Sequence, residues 1–297
     1  MFIRVLAIIT FLFCYQTSGF SAPQPQLAYY LQNNFVEVGI NPSAGGAISF
    51  LAPKGSVHTL VNTYDLGRYI QQSFYGGPDG STWNGKPWSW NPVQAGSATG
   101  QPSKLLDFKN YGRFLYAKTL PKHWATGADI PDLIMEEWIS LDNQIVRVHY
   151  RMHYTGRIVH PPADQEMPAA FLDHRLETLT YYKGPAPWTA APLTRIKPAP
   201  INQYDDIPEN WAAYLNENNW GVGVYTPGVS RLTFYFVGDK KSGSAYLAPI
   251  KTLPITPGMT LDYDVYLRVG SITEIRNSFY KIHSQLQRGP MRPFPPR

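Results

Sequence analysis

Leu133-Ile-Met-Glu-Glu-Trp-Ile-Ser-Leu141 and Gln144-Ile-Val-Arg-Val-His-Tyr-Arg-Met-His-Tyr154 alternate apolar and polar residues along almost their whole length, and only Asp142-Asn143 separates them. Period two marks a strand with one buried face, and a two-residue Asp-Asn connection closes two such strands into a hairpin. With Asp142-Asn143 as the turn, Val146, Val148, Tyr150, Met152 and Tyr154 are expected on the core side, across from Met135, Glu137 and Ile139. Arg147, His149, Arg151 and His153 then share the other face, with Glu136 opposite His149 and Trp138 opposite Arg147. Four potentially cationic groups in a row repel unless solvent, carboxylates or an anionic ligand screen them. Two readings stay open: a solvated outer face with local pairs, or the lining of a cleft for an acidic sugar chain. Glu137 is the misfit of the core side. A lone carboxylate there is costly, and desolvation would raise its pKa toward that of a general acid unless a register shift or bulge turns it outward.

The same period recurs outward from the hairpin. Strands are expected over 35–40, 47–51, 69–75, 113–120, 176–182, 211–215, 221–225, 231–237 and 259–269, punctuated by turn formers such as Pro42-Ser-Ala-Gly-Gly46, Pro227-Gly228 and Pro257-Gly258. So many strands imply an all-β fold, a large antiparallel β-sandwich (supersandwich) with one C-terminal helix. That helix opens with the capping box Ser271-Ile-Thr-Glu274 and places Ile272, Ile275, Phe279, Ile282 and Leu286 on one stripe, which should dock on the sandwich. The expected organisation is a leader over 1–21, a single β-sandwich domain over 22–287 and a Pro/Arg-rich tail over 288–297.

The leader reads as a signal peptide: Arg4, an apolar run from Val5 to Cys14, then small residues near Gly19 and Ser21. The run is too short for an ordinary membrane span, so a secreted protein, extracellular or periplasmic, is expected. Cys14 is the only cysteine. Its removal with the leader would exclude disulfides, thiol nucleophiles and cysteine metal sites. The net charge of +5 is a mild excess without a Lys/Arg run, so no nucleic-acid partner is expected. No oligomeric state follows from the sequence.

Between Gly76 and Ser103 neither period is visible, yet Trp83, Trp88 and Trp90 lie there among glycines and prolines. Disordered segments are poor in aromatics. The alternatives are a satellite core beneath a long loop or a stacking surface for a sugar, whose C–H face packs on aromatic rings and whose hydroxyls need polar partners. Asp65, Arg68, Gln71 and Tyr75 precede this loop, and Asn91 and Gln94 lie within it. Tyr69, Gln71, Ser73 and Tyr75 share one strand face by period.

Standard signatures of nucleophile elbows, zinc proteases, phosphate loops and dinucleotide sites are missing, and no cofactor or metal is expected. His149 and His153 are four strand positions apart, roughly 13 Å, too far to chelate one ion together. Candidate catalytic groups are therefore dispersed: Glu166, placed on a loop after a Pro-Pro turn, with Asp65 or Glu136 as a second carboxylate for hydrolysis. A lyase would instead use His149, His174 or Tyr75 as base, with Arg68 or Arg147 holding a uronate carboxylate. Substrate binding falls to Arg68, Gln71, Tyr75, Trp83, Trp88, Trp90, Asn91, Gln94 and Arg147.

Asn34-Phe-Val-Glu-Val-Gly-Ile40 with Ala44-Gly-Gly-Ala-Ile-Ser-Phe50 resembles the opening of galactose-mutarotase-like supersandwich domains, where an early strand pair carries a glycine turn. Trp211–Pro227 and Pro257–Gly270 are similar to later strands of such domains. The resemblance implies a fold whose concave sheet binds carbohydrate in epimerases, polysaccharide lyases and accessory domains of glycosidases. It names no specific enzyme family. The expected function is a secreted carbohydrate-active protein acting on a polysaccharide or oligosaccharide, as glycoside hydrolase or polysaccharide lyase, on a chain that could be acidic. The alternatives are a non-catalytic extracellular glycan-binding or surface protein and a structural extracellular sandwich.

Overall fold

The computed structural model describes residues 29–289; the expected leader, with Cys14, and the expected tail from position 290 onward lie outside the described residues. Two antiparallel sheets pack face to face. The ten-stranded sheet runs Tyr30–Gln32, Val36–Ile40, Ile48–Pro53, Ile70–Ser73, His160–Leu172, Ser244–Ile255, Arg231–Val237, Gln203–Asp206, with Pro92–Val93 and Lys122–His123 attached beside Ile70–Ser73. The nine-stranded sheet runs Thr194–Ile196, Thr178–Tyr181, Trp211–Leu215, Trp220–Tyr225, Thr260–Ser271, Ile145–Tyr154, Leu133–Asp142, Phe114–Leu120, Lys104–Asn110. The alternation explains the sandwich: Val146, Val148, Tyr150 and Met152 are fully buried against Ile48, Leu51, Ile70, Leu172 and Leu247 of the facing sheet. Each such side chain is worth about 1.5–3 kcal/mol when removed from water.

The hairpin forms two residues out of the expected register. Asp142 pairs with Ile145 and the turn is Asn143-Gln144, so Glu136 faces Arg151, Trp138 faces His149 and Glu137 faces Tyr150. Asn143 adopts φ 52°, a left-handed conformation that asparagine tolerates and most residues do not, and this locates the turn one position later. A shift of two keeps every side chain on its expected face. Glu137 is therefore buried in the core, with 1% of its surface exposed.

The two long strands His160–Leu172 and Ser244–Ile255, which pair with each other, were not expected from period two. Pro161, Pro162 and Pro168 interrupt the first, Pro249 and Pro254 the second, and the first carries two register shifts. Gln165-Glu166 thus lies in a strand, not on a loop. The segment between Gly76 and Ser103 is also more ordered than expected, since Pro78–Trp83 and Lys86–Ser89 form a separate two-stranded ribbon. Its turn is Asn84-Gly85, with φ 50° and 70°, the pair most suited to a tight hairpin.

The helix Ile272–Gln287 follows the sequence reading. Ser271 and Glu274 form the capping box, and Ile275, Phe279 and Ile282 are buried on Trp211, Leu215, Tyr225 and Tyr266, on the outer face of the nine-stranded sheet. The buried Glu209 anchors this layer: it accepts hydrogen bonds from Trp211 Nε1 at 2.9 Å, Trp188 N at 2.8 Å and Tyr280 Oη at 2.5 Å. Among the described residues no helix is long and apolar enough to cross a membrane.

Candidate functional site

Glu166 owes its position to a bulge. It pairs with Ser73 on one side and Ile250 on the other, but four residues later Ala170 pairs with Leu247, three positions along its neighbour. One extra residue, at Met167-Pro168-Ala169, reverses the parity of the strand. Glu166 consequently shares the outer face with Ala169 and Phe171, while Ala170 and Leu172 point into the core. Pro168 is tolerated because a bulged residue leaves its ladder position unpaired.

The carboxylate accepts a hydrogen bond from Tyr246 Oη. Burial raises its pKa above the usual carboxylate range, against the opposing pull of hydrogen bonds from Tyr246, Ser73 and Tyr75. The tyrosines respond in the same direction: burial, reinforced by the charge of Glu166, pushes Tyr75 and Tyr246 well above their usual value, and burial pushes Tyr235 up to about 12. These hydroxyls are proton donors, not bases, near neutrality.

Above this floor opens a cavity of about 300 Å³. Trp83, Trp88, Trp124 and Phe171 supply flat walls, and Asn91, Asn202, Asp65 and Arg68 supply polar groups. Trp88 Nε1 donates to Asn91 Oδ1 at 3.3 Å, and Asn91 Nδ2 donates to Phe74 O at 2.7 Å, so the ring is held at an angle fixed by the sheet. Trp83 meets Trp88 edge-to-face at 4.9 Å and Trp124 at 5.7 Å. Arg68 Nε lies 3.4 Å from Asp65 Oδ2, and its guanidinium sits 5.7 Å from the Phe171 ring. Its Nη1 is buried without a hydrogen-bond partner. Gly67 has no side chain for a reason: a Cβ there would lie 2.3 Å from the Trp124 ring.

Of the residues singled out in the sequence, Glu166, Asp65, Arg68, Tyr75, Trp83, Trp88 and Asn91 converge on this cavity. The others do not line it. Trp90 belongs to the core, stacked on His160 at 3.9 Å and packed on Tyr154. Gln71 is consumed by backbone groups, donating to Leu66 O and accepting from Ala95 N at 2.7 Å. Gln94 lies fully inside, accepting from Gln72 N at 3.0 Å. His174 sits 3.6 Å from Asp173, outside the cavity.

Arg147 and His149 belong to the other sheet. Arg147 Nη2 and His149 Nδ1 each lie 3.0 Å from Asp264, while His149 Nε2 and Arg151 Nε reach Asp262 at 3.0 and 2.8 Å. His153 Nδ1 meets Thr260 Oγ1 at 2.9 Å. The cationic row is thus matched by two aspartates of the neighbouring strand 260–271. Glu136, the other candidate second carboxylate, accepts from Tyr116 Oη at 2.5 Å on that same sheet. Glu137 has no such matching: neither oxygen has a partner at hydrogen-bond geometry, and desolvation raises its pKa to about 8 against the opposing pull of the neighbouring Gln94 amide.

Sequence reasoning missed Trp124, Phe171, Asn202, Tyr235 and Tyr246 in the cavity wall. A signal existed for Tyr235: in Arg231–Val237, Leu232, Phe234 and Phe236 take the core face, which leaves an aromatic ring on the outer one. Tyr246 and Phe171 lay in strands that their prolines concealed.

No protein-family description matches the chain, and no curated protein matches it by sequence. In structure it is similar to the Slr1438 protein from Synechocystis sp. PCC 6803, with 14% identity and a TM-score of 0.55 over 84% of this chain and 97% of that one. It is also similar to a galactose mutarotase related enzyme from Lactobacillus acidophilus (12% identity, TM-score 0.52, 82% and 97% covered). A galactose mutarotase-like protein from Lactobacillus casei gives 12% identity and a TM-score of 0.54, with 82% and 99% covered. At these identities the likeness is one of fold, and the fold is the galactose-mutarotase-like β-supersandwich.

Proposed function

We propose that this is a carbohydrate-active protein, exported by its leader, that seats a sugar of a polysaccharide or oligosaccharide in the cavity on the ten-stranded sheet. The observation that carries the reading is the pairing of aromatic walls with one desolvated carboxylate, Glu166, on the cavity floor. Sugars need both an apolar face and a few placed polar groups, and a site of this size suits one ring. The proteins of similar fold named for galactose mutarotase add an associational argument.

Within this reading the cavity favours hydrolysis. Glu166, buried and with a raised pKa, is suited to protonate the glycosidic oxygen as the bond to the anomeric carbon breaks. Asp65, half-open to solvent and paired with Arg68, is suited to take the proton of the attacking water. Two carboxylates in unlike environments divide acid and base roles. A second reading, a lyase on a uronic polymer, is favoured by one specific observation: the free donor of Arg68 Nη1 could hold the uronate carboxylate. Incubating the purified protein with neutral and uronic oligosaccharides separates the readings. New reducing ends without unsaturation indicate hydrolysis, and unsaturated products indicate elimination. Retention on polysaccharide gels without any product would leave binding alone.

A further inference from the structure

A second cavity, of about 570 Å³, adjoins the first and shares Asp65, Trp83 and Trp124 with it. Its remaining lining is Ser43 from the glycine turn after Val36–Ile40, Leu66 beside Asp65, and Ser97, Ala98, Gly100 and Pro102 from the segment that follows Pro92–Val93. The three shared residues form a low ridge. Trp83 stands on it at the end of the Pro78–Trp83 strand, edge-to-face with Trp88 on one side and with Trp124 on the other.

The ridge is built, not incidental. His123, buried to 5% exposure, binds Asp79 Oδ2 through Nε2 at 2.7 Å, and its Nδ1 accepts Ala125 N at 3.1 Å. This ties the base of the ribbon carrying Trp83 to the turn carrying Trp124. Burial alone would raise the Asp79 pKa, but hydrogen bonds from Ser81 and His123 hold it below the usual range, so the tie is charge-assisted. Trp124 is fixed again by its backbone, which donates to Asn91 O at 2.8 Å and accepts from Ala98 N at 2.8 Å. The two cavities are thereby held at a constant offset.

We infer that the second cavity is a further saccharide subsite, so that the ligand is a chain of at least two sugar residues lying across the Trp83–Trp124 ridge. The inference rests on the proposed carbohydrate function and deepens it. A sugar in the first cavity meets Glu166, its neighbour rests against Trp124 and the Ser43 and Ser97 side, and the linkage between them passes beside Asp65, the carboxylate common to both. The aromatic ridge is continuous and the polar groups stand at its margins, an arrangement that reads a chain by its apolar faces.

The test is calorimetric binding of two homologous series, galacturonate with its di- and tetramer and glucose with cellobiose and cellotetraose, to the Glu166→Gln form to stop turnover. In the series that binds, affinity should rise about tenfold from one sugar to two or more. Ala98→Phe, at an exposed position that keeps its backbone bond to Trp124, should change that gain while leaving the monosaccharide affinity within about twofold. Ser43→Tyr fills the cavity from the opposite wall and should act alike. A change of either sign confined to the longer chains supports the subsite. Monosaccharide binding with no gain on lengthening, or equal changes for one sugar and four, overturns it and leaves the first cavity as a single-sugar site. If no member of either series binds, the proposed function falls with it.

Discussion

On the outer face of the nine-stranded sheet, Arg147, His149 and Arg151 meet Asp262 and Asp264 at 2.8–3.0 Å. On the outer face of the ten-stranded sheet, Arg68 keeps a buried donor without a partner and Glu166 is held where burial disfavours its charge. The first face is richer in charge and the second poorer. Yet charges matched within the protein have little left to offer a ligand, whereas a desolvated acid and a free donor at a cavity leave interactions for a ligand to complete. Charge density is therefore a poor guide to the site, and unmet polar capacity is a better one.

Replacing Glu166 by Gln should break the second face most severely. Turnover should fall by about 10²–10⁴, the usual contribution of a positioned proton donor, while thermal stability holds or rises because a desolvated acid is gone. A loss of less than threefold in kcat would remove Glu166 from the reaction. The acid's raised pKa also sets a direction: kcat/KM should decline as pH rises through it, and the alkaline limb should disappear in the Glu166→Gln remainder.

Glu137, between the two sheets, tests the same principle in the core. Its pKa of about 8 in the fold exceeds the 4.5 of an ordinary glutamate, so the folded state binds the extra proton. Stability is therefore complete below the unfolded value and is lost as pH rises toward and through about 8, by up to about 5 kcal/mol. Melting curves should show the wild type falling across that window and Glu137→Gln falling less. Parallel curves would mean that the carboxyl is paired or hydrated in solution.

The tryptophans should divide in the next range of effect. Trp90→Ala, which leaves a gap beside His160 and Tyr154, should cost about 2–4 kcal/mol of stability. Trp88→Ala should leave the melting temperature within about 2 °C and weaken saccharide binding roughly tenfold, about 1.4 kcal/mol. The reverse pattern would make Trp88 part of the core. Smallest of all, Arg147→Ala should alter turnover on neutral and uronic chains less than about twofold, because Arg147 is held by Asp264 on the other sheet and lies away from the cavity. A selective loss on the uronic chain would restore the hairpin face as a binding cleft.

The hairpin and the helix were legible because their signals are local: a strict period of two, and a serine with a glutamate three positions on. The register slip came from one asparagine taking a left-handed conformation, which propensity allows at either turn position. Glu166 was legible as a candidate and illegible as a strand residue, since a bulge that reverses parity depends on the partner strand and leaves no period in its own. The ribbon over 78–89 had a readable signal in Asn84-Gly85. Four of the sixteen residues that line the cavity are Tyr235, Tyr246, Phe171 and Asn202, brought beside Glu166 by pairings between distant segments. Only the partner strands carry that information.

The central claim is that saccharide meets the ten-stranded sheet and not its counterpart. Hydroxyl-radical footprinting of the protein with and without the tightest-binding oligosaccharide reads both faces at once, since each carries a partly exposed tryptophan. Protection of Trp83, Trp88 and Trp124 with Trp138 unchanged is the result expected. Protection of Trp138 and His149 with the three cavity tryptophans unchanged would contradict it.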